Sequence, residues 1–288
     1  MGGAQLVAAL PAVAVGLVSG VLSGMFGIGG GIVSTPAIRV ILGYPALVAV
    51  GTPLLVIVPT TITGAWSYDR AGLADVRTGL VMGAFGVPTA VLGALATKYV
   101  GGTIVLLLTA LLILYTAVDV LWHAWRSPRS EPVLAREEGE EPVLARGDGG
   151  AGPEPVHDRA ATQAPSLATC ALLGVVTGAY SGFLGLGGGF VLVPLLQRSA
   201  KMPVKRAIGT SLVAISVLAI PGVVTHWTLG HIDVWLAVAL LVGSVPGALI
   251  GARITRASRD RTVRVGFAVL LLVVGVWLAA AEIVGLGR

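Results

Sequence analysis

Two glycine-rich clusters contain the residues whose types and spacing could bind a solute. They run from Gly24 to Pro36 and from Gly182 to Pro194, and both follow the pattern G-x-x-G-x-G-G-G-x-V-x-x-P. Each lies in a long apolar stretch, where glycines and a proline interrupt a helix. A helix that begins after such a break directs its first N–H groups and the positive end of its dipole at the space before it. The pattern therefore predicts an anion site made from backbone N–H groups.

The predicted site combines the central glycines of each cluster with nearby hydroxyl groups. Glycine lets a ligand approach the backbone closely, and serine and threonine hydroxyls can donate to an oxyanion. The candidate residues are Gly29, Gly30, Gly31, Ser23 and Thr52 in the first half, and Gly187, Gly188, Gly189, Ser181, Thr210 and Ser211 in the second. Two simpler roles compete with this one. The triplets could only permit close helix packing, and the hydroxyls could hydrogen-bond to their own helices.

Small residues at every fourth position predict close helix packing just before each cluster. These residues are Gly16, Gly20 and Gly24 in the first half and Gly174, Gly178 and Gly182 in the second.

The sequence lacks the residues that nucleotide binding, metal binding or catalysis would require. The third glycine of a dinucleotide fingerprint is replaced by Ile32, and neither cluster has the lysine of a P-loop. The chain has one cysteine, Cys170, which we interpret as a small packed hydrophobic residue, and it shows no paired carboxylates or metal-ligand cluster. We therefore expect no enzyme activity, no cofactor and no metal.

The elements that carry these clusters are expected to be membrane helices. Of the 288 residues, 55% are hydrophobic and 11% are charged, whereas soluble domains have about 25% charged residues. The net charge of +5 does not indicate nucleic-acid binding, because the basic residues lie in short loops between apolar runs. Eight stretches are long enough to span a bilayer. They cover about 5–27, 46–68, 77–97, 102–123, 166–185, 207–227, 234–254 and 263–284, with short half-helices at about 31–43 and 189–198.

The chain divides into two membrane repeats, 1–123 and 166–288. Residues 16–97 align with 174–255 at a constant offset of 158 residues, with 28 identities in 82 positions. The linker between them, residues 124–165, holds eight of the fourteen acidic residues and repeats EPVLAR, so we predict that it is disordered. A regulatory or partner-binding tail is the alternative for this segment.

Two topologies are possible for the repeats. If the short helices do not cross the membrane, the halves are parallel, and one side of the membrane carries 11 lysines and arginines while the other carries 8. If the short helices do cross back, the halves are inverted, and the two sides carry 16 and 3. The second division agrees better with the excess of basic residues on the cytoplasmic side, so we predict inverted repeats with both termini outside.

Few ionisable residues fall within the spans. Asp75 and Asp233 occupy matching positions in the two repeats, and we interpret them as helix N-caps rather than proton carriers. His226 and His231 lie beside Trp227, which is typical of a membrane interface, with a proton relay at His226 as the alternative.

Both glycine clusters, the G-T pairs Gly51-Thr52 and Gly209-Thr210, and the four-span repeat resemble the sulfite exporter TauE/SafE family of bacterial permeases. The resemblance covers nearly the whole chain except the long acidic linker, which is a departure from the family. It implies an all-α inner-membrane protein that moves a sulfur-containing anion such as sulfite, sulfoacetate or another organosulfonate. Ser211 is replaced by Pro53 in the first repeat, so substrate details do not follow from the resemblance.

These observations predict an alternating-access permease that holds its anion between the two repeats. We expect the protein to interact with its anion and with membrane lipid, but not with nucleic acid. A homodimer is the expected form if the protein is oligomeric. An anion channel and a non-transporting membrane scaffold are the alternative functions.

Overall fold

The computed structural model describes residues 3–96, 102–126, 165–184 and 188–286, and this part of the chain consists of helices joined by short loops, with no strand. The ten helices are α1 (Gly3–Phe26), α2 (Gly31–Val40), α3 (Ala46–Asp69), α4 (Val76–Ala96), α5 (Gly102–Arg126), α6 (Leu167–Leu184), α7 (Gly189–Ser199), α8 (Val204–Thr228), α9 (Val234–Ala257) and α10 (Asp260–Leu286). The prediction of an all-α chain is confirmed.

Six of these helices are long and apolar enough to cross a membrane within the described residues. The apolar segments are Ala9–Phe26, Leu47–Asp69, Val76–Ala96, Val204–Thr228, Val234–Ala257 and Asp260–Ala280. Helices α5 and α6, which correspond to the other two predicted spans, have shorter apolar segments at Leu108–Trp122 and Leu167–Phe183. The predicted linker lies outside the described residues, apart from 124–126 at the end of α5 and Pro165.

The boundaries of the helices follow residues that occur in both halves. Pro45 and Pro203 are the N-caps of α3 and α8, and proline restricts the residue before it to extended conformations, which stops a preceding helix. The side chain of Asp233 accepts a hydrogen bond from the Leu236 N–H, and that of Asp75 accepts one from the Thr78 N–H. The prediction that both aspartates cap helices is confirmed.

Glycines allow two pairs of parallel helices to pack with their backbones nearly touching. Methyl groups on Gly16, Gly20 and Gly24 of α1 would overlap the backbones of Leu240, Ser244 and Ala248 of α9. Methyl groups on Gly174, Gly178 and Gly182 of α6 would overlap those of Met82, Gly86 and Ala90 of α4. Residue numbers rise together in each pair, so the paired helices run in the same direction. The packing role predicted for these six glycines is confirmed.

Helices α3 and α8 cross at the centre of the bundle in opposite directions. Leu54 of α3 packs beside Gly222 of α8, and Leu212 of α8 packs beside Gly64 of α3. Residue numbers therefore rise along α3 as they fall along α8, so the two helices are antiparallel. The corresponding helices of parallel repeats would run in the same direction, so this crossing favours the inverted arrangement.

Among the described residues, the buried polar side chains are those of serines and threonines, together with the fully buried Tyr68. Ion pairs lie at the ends of the helices instead. Arg198 pairs with Asp119, Arg206 with Asp75 at 3.5 Å, and Lys205 with Asp260 at 3.8 Å. Cys170 is buried and free, which agrees with its predicted role as a packed hydrophobic residue.

Candidate functional site

The first break, between α1 and α2, has a backbone that favours glycine. The φ angles of Gly27, Gly29 and Gly30 are 69°, 75° and 82°, in the left-handed region that other residues adopt only with strain. Gly30 is the N-cap of α2 and has no side chain to cap the helix. The first turn of α2 is therefore open to another acceptor at its N-terminus.

The second break repeats this geometry at the start of α7. Gly188 is the N-cap, with a φ angle of 67° and no side-chain cap. Helix α7 then begins at Gly189, as α2 begins at Gly31. Residues 185–187 lie outside the described part of the chain, so the predicted site residue Gly187 is not placed.

The two breaks are in direct contact. A methyl group on Gly189 would overlap the carbonyl oxygen of Gly27 and lie 2.9 Å from the Cα of Ile28. The hydroxyl group of Ser211 in α8 lies 3.1 Å from the same Gly27 oxygen and can donate to it, and it also lies 2.8 Å from the Ile208 oxygen. The first turn of one half-helix thus lies against the break that precedes the other.

This contact lies near the midpoint of the two central helices. A methyl group on Gly29 would lie 3.1 Å from Cγ2 of Ile215, 3.4 Å from Cγ2 of Ile57 and 3.7 Å from Cγ2 of Thr61. Ile57 and Ile215 lie about halfway along α3 and α8. Residues 27–31 are all buried.

A serine side chain lies against each N-cap glycine. The Cβ of Ser23 would lie 3.6 Å from a methyl group on Gly30, and the Oγ of Ser181 would lie 3.3 Å from one on Gly188. Ser23 is fully buried, and its hydroxyl has no hydrogen-bond partner in the described structure. A buried hydroxyl without a partner costs free energy, so Ser23 is a polar group available to a ligand.

The hydroxyls of Thr52 and Thr210 bind backbone N–H groups of the opposite half of the chain. The hydroxyl of Thr52 accepts a hydrogen bond of 3.1 Å from the Asp233 N–H, and that of Thr210 accepts one of 2.9 Å from the Asp75 N–H. Each threonine joins the first turns of a central helix to the start of a helix in the other half. This role differs from both sequence-based roles, since the partner is neither an anion nor the threonine's own helix.

Four residues near the breaks were not singled out from the sequence. The Tyr180 hydroxyl donates to the Gly188 oxygen at 3.0 Å, and the Tyr68 hydroxyl donates to the Gly24 oxygen at 2.9 Å. The third is Thr61, which contributes a methyl group beside Gly29. The fourth is Thr177, whose methyl group lies beside Gly188 and whose buried hydroxyl has no partner in the described structure. A tyrosine inside an apolar helix is the only sequence signal for the first two, because a buried hydroxyl requires a partner.

The histidines form a separate pair at the end of α8. The ring centroids of His226 and His231 are 5.5 Å apart, and a methyl group on Gly51, near the start of α3, would lie 3.0 Å from Nδ1 of His226 and 3.0 Å from Cβ of His231. The described residues contain no group of three or more His, Cys, Asp or Glu side chains that could hold a metal ion.

A sequence model of the sulfite exporter TauE/SafE family matches residues 12–278. The chain belongs to the sulfite exporter TauE/SafE family. The match spans both glycine clusters and both sets of helices, so the predicted resemblance is confirmed.

The relatives of this family member are described as transporters. It is 25% identical over 270 residues to the probable membrane transporter protein YunE of Bacillus subtilis, covering 91% of this chain and 94% of YunE. It is 23% identical over 279 residues to the probable membrane transporter protein MJ0441 of Methanocaldococcus jannaschii, covering 92% of each. No solved structure is significantly similar to the chain. The chain is therefore a membrane transporter of the TauE/SafE family.

Proposed function

We propose that this protein is a permease for a small anion, in particular a sulfur-containing oxyanion such as sulfite or an organosulfonate, which it moves by alternating access. The observation that carries the proposal is the contact between the two breaks. Two half-helices, α2 and α7, begin at glycine N-caps without side-chain caps, and Gly189 of one lies against Gly27 of the other. N-termini of interrupted helices at matching positions in two halves are typical of transporter binding sites for anionic groups.

The position of the breaks supports alternating access over a channel. Residues 27–31 are buried near the midpoint of α3 and α8. An anion could reach them only if helices separate on one side of the bundle. The opposite directions of α3 and α8 support inverted repeats, in which one half can rock against the other around a fixed site.

The proposed site contains the backbone N–H groups of Gly29–Gly31 and Gly187–Gly189, with hydroxyls from Ser23 and Ser181 beside the N-caps. The hydroxyl of Ser211, which lies on α8, donates a hydrogen bond to the Gly27 carbonyl oxygen. Direct contact of Thr52 and Thr210 with the anion stays a prediction, since their hydroxyls already accept backbone hydrogen bonds. A homodimer and location in the bacterial inner membrane also stay predictions.

Uptake of radiolabelled sulfite by the purified protein in liposomes tests this function. Uptake should exceed that of protein-free liposomes, respond to an imposed pH gradient if protons are coupled, and be reduced by competing organosulfonates. Accumulation against a gradient would separate a permease from a channel. No uptake of sulfite, thiosulfate or any organosulfonate under any gradient would contradict the proposal and favour the scaffold.

A further inference from the structure

We propose that a groove between α3, α4 and α8 binds a phospholipid whose head group carries both a phosphate and a primary ammonium group. The groove lies where α3 ends and α4 begins, and it contains no residue of either glycine-rich break. One acyl chain would lie in the groove, and the head group would lie at the loop between α3 and α4. This lipid site is distinct from the proposed anion site.

The walls and floor of the groove are apolar. They are formed by Ile62, Ala65 and Trp66 of α3, Val76 of α4, and Val213 and Ser216 of α8. Ala65 and Val213 are buried at the floor, whereas Ile62 and Trp66 are about half exposed, so the groove opens to the surroundings of the bundle. The Ser216 hydroxyl donates to the Val213 oxygen at 2.7 Å and presents no unpaired donor to the groove.

The size of the groove suits part of an acyl chain. Its volume is about 200 Å³, below the roughly 300–1,000 Å³ of sites that enclose a drug-sized ligand. The space exists because Ala65 and Ser216 are small. An apolar groove of this size on a membrane helix bundle is filled by a segment of one lipid chain rather than by a whole molecule.

Charges of both signs lie at the mouth of the groove. Asp69 is exposed and lines it. Arg70 is the next residue, and its guanidinium lies 4.0 Å from the centre of the Trp66 ring. Within the described part of the chain, neither Asp69 nor Arg70 forms an ion pair. Both follow Trp66 by three or four residues and so lie on its face of the helix, which places a carboxylate and a guanidinium beside the groove.

This pair of charges is complementary to a zwitterionic head group. A guanidinium pairs with a phosphate and a carboxylate with an ammonium group. Arg77, which follows Val76 at the start of α4, is exposed and adds a second guanidinium on this side. Tryptophan is typical of the level of the head groups. A head group that lacks the ammonium would leave Asp69 without a partner and close to a phosphate, so the ammonium group is the feature that the site selects.

The matching positions of the other repeat lack this mouth. At the offset of 158 residues, the counterparts of Asp69, Arg70 and Arg77 are Trp227, Thr228 and Trp235. An excess of arginine on one side of the membrane accounts for the two arginines alone. It does not account for an acidic residue between them and the groove.

The floor of the groove differs between the repeats as well. The counterparts of the small residues Ala65 and Ser216 are Val223 and Val58. Larger side chains would fill the equivalent space. The small floor and the charged mouth therefore occur together in one half of the pseudosymmetric pair, and we expect selective lipid binding on that side only.

Native mass spectrometry of the delipidated protein tests the selectivity. The protein is mixed with equal amounts of phosphatidylethanolamine, phosphatidylcholine and phosphatidylglycerol that have identical acyl chains. The second lipid keeps the charges but its methylated ammonium cannot donate, and the third lacks an ammonium group. We expect the first bound lipid to be phosphatidylethanolamine, by roughly threefold or more over each of the others, as exposed ion pairs provide.

Three exposed positions separate the site from a general attraction to basic residues. Asp69→Asn should remove the preference for phosphatidylethanolamine without weakening the binding of phosphatidylglycerol. Arg70→Gln should weaken all three lipids, because each carries a phosphate. Arg259→Gln is the matched control, since Arg259 is exposed between α9 and α10, which contribute nothing to the groove. Melting temperatures in detergent should be the same for all three variants.

Three results would overturn the proposal. The first is wild-type protein that binds phosphatidylcholine or phosphatidylglycerol as tightly as phosphatidylethanolamine. The second is a preference that survives in Asp69→Asn. The third is a loss of lipid binding in Arg259→Gln as large as that in Arg70→Gln, which would indicate diffuse attraction to the basic loops.

Discussion

At the scale of single residues, the site depends on one difference among the buried hydroxyls. Most of them have partners: Ser211 lies against the Gly27 oxygen, and Thr52 and Thr210 accept backbone N–H groups. The hydroxyls of Ser23, Thr35 and Thr177 have none in the described structure, and Ser23 lies beside the N-cap of α2 while Thr177 lies beside that of α7. Because the Ser23 hydroxyl makes no hydrogen bond within the described structure, its removal should affect the anion without affecting the fold.

We therefore expect Ser23→Ala to weaken anion binding and leave the folded protein intact. A hydrogen bond to a charged group contributes about 1.5–3 kcal/mol, so affinity should fall roughly 10- to 100-fold. Ser19→Ala is the matched control, because Ser19 is a buried serine one turn earlier whose hydroxyl donates to the Gly16 oxygen. Inhibition constants from counterflow and melting temperatures in detergent should be measured for both. Unchanged affinity in Ser23→Ala would remove this residue from the site.

In contrast to Ser23, Thr52 and Thr210 should affect the stability of the fold and not the affinity for the anion. Thr52→Val keeps the shape of the side chain but leaves the Asp233 N–H without its acceptor, which should cost about 1–3 kcal/mol of unfolding free energy. Thr210→Val should have a similar cost through the Asp75 N–H. Chemical unfolding in detergent and counterflow affinity together check this prediction. Normal stability with a lost affinity would instead show that these hydroxyls contact the anion.

At the scale of helices, glycine serves two different needs. In α1 and α6 it lets helices approach closely, whereas at Gly27, Gly29 and Gly30 it permits left-handed backbone. The sequence-based choice between packing and anion binding therefore omitted a third requirement, which is backbone conformation. This requirement also makes a large residue at Gly30 a poor probe of binding, since any L-residue would be strained there.

The packing requirement predicts different outcomes for two helical glycines. In Gly20→Ala, the new methyl group would lie 2.6 Å from the Ser244 Cα and force α1 away from α9, which should cost about 1–3 kcal/mol or more. In Gly266→Ala, it would lie 3.4 Å from the Phe26 ring, an ordinary contact, and alanine should raise helix stability slightly. Thermal unfolding in detergent compares the two. Equal melting temperatures would contradict the close packing of α1 and α9.

The sequence predicted the helices well because their ends are marked by local chemistry. Proline at Pro45 and Pro203 and the triplet glycines mark boundaries that any chain with these residues would respect. Partners across the two halves could not be predicted in this way. The acceptor for the Asp233 N–H is Thr52, which is 181 residues away, and only the tertiary structure brings them together.

At the scale of the whole molecule, the two halves are interleaved rather than placed side by side. Helix α1 packs on α9 and α6 packs on α4, while α3 and α8 cross in opposite directions at the centre. Every principal contact thus joins one half to the other. A site where the two breaks meet would change whenever the halves move relative to each other, as alternating access requires.

Inverted repeats place equivalent loops on opposite sides of the membrane. Ala71, after α3, and Leu229, after α8, are both exposed. In a Cys170→Ala background, we expect Leu229→Cys to react with an impermeant thiol reagent in intact cells and Ala71→Cys to react only after permeabilisation. Basic residues near Ala71, such as Arg70 and Arg77, place its loop inside. Reaction of both cysteines from the same side would contradict inversion.

The stoichiometry of anion binding tests most directly whether one anion is held between the two breaks. Equilibrium binding of labelled methanesulfonate to the purified protein should be measured for the wild type, Ser23→Ala and Ser181→Ala. We predict one bound anion per chain and weaker binding in both variants, because each serine would contact the same anion from its own half. Two independent anions per chain, each affected by only one of the substitutions, or binding that neither substitution affects, would contradict a single site between the repeats.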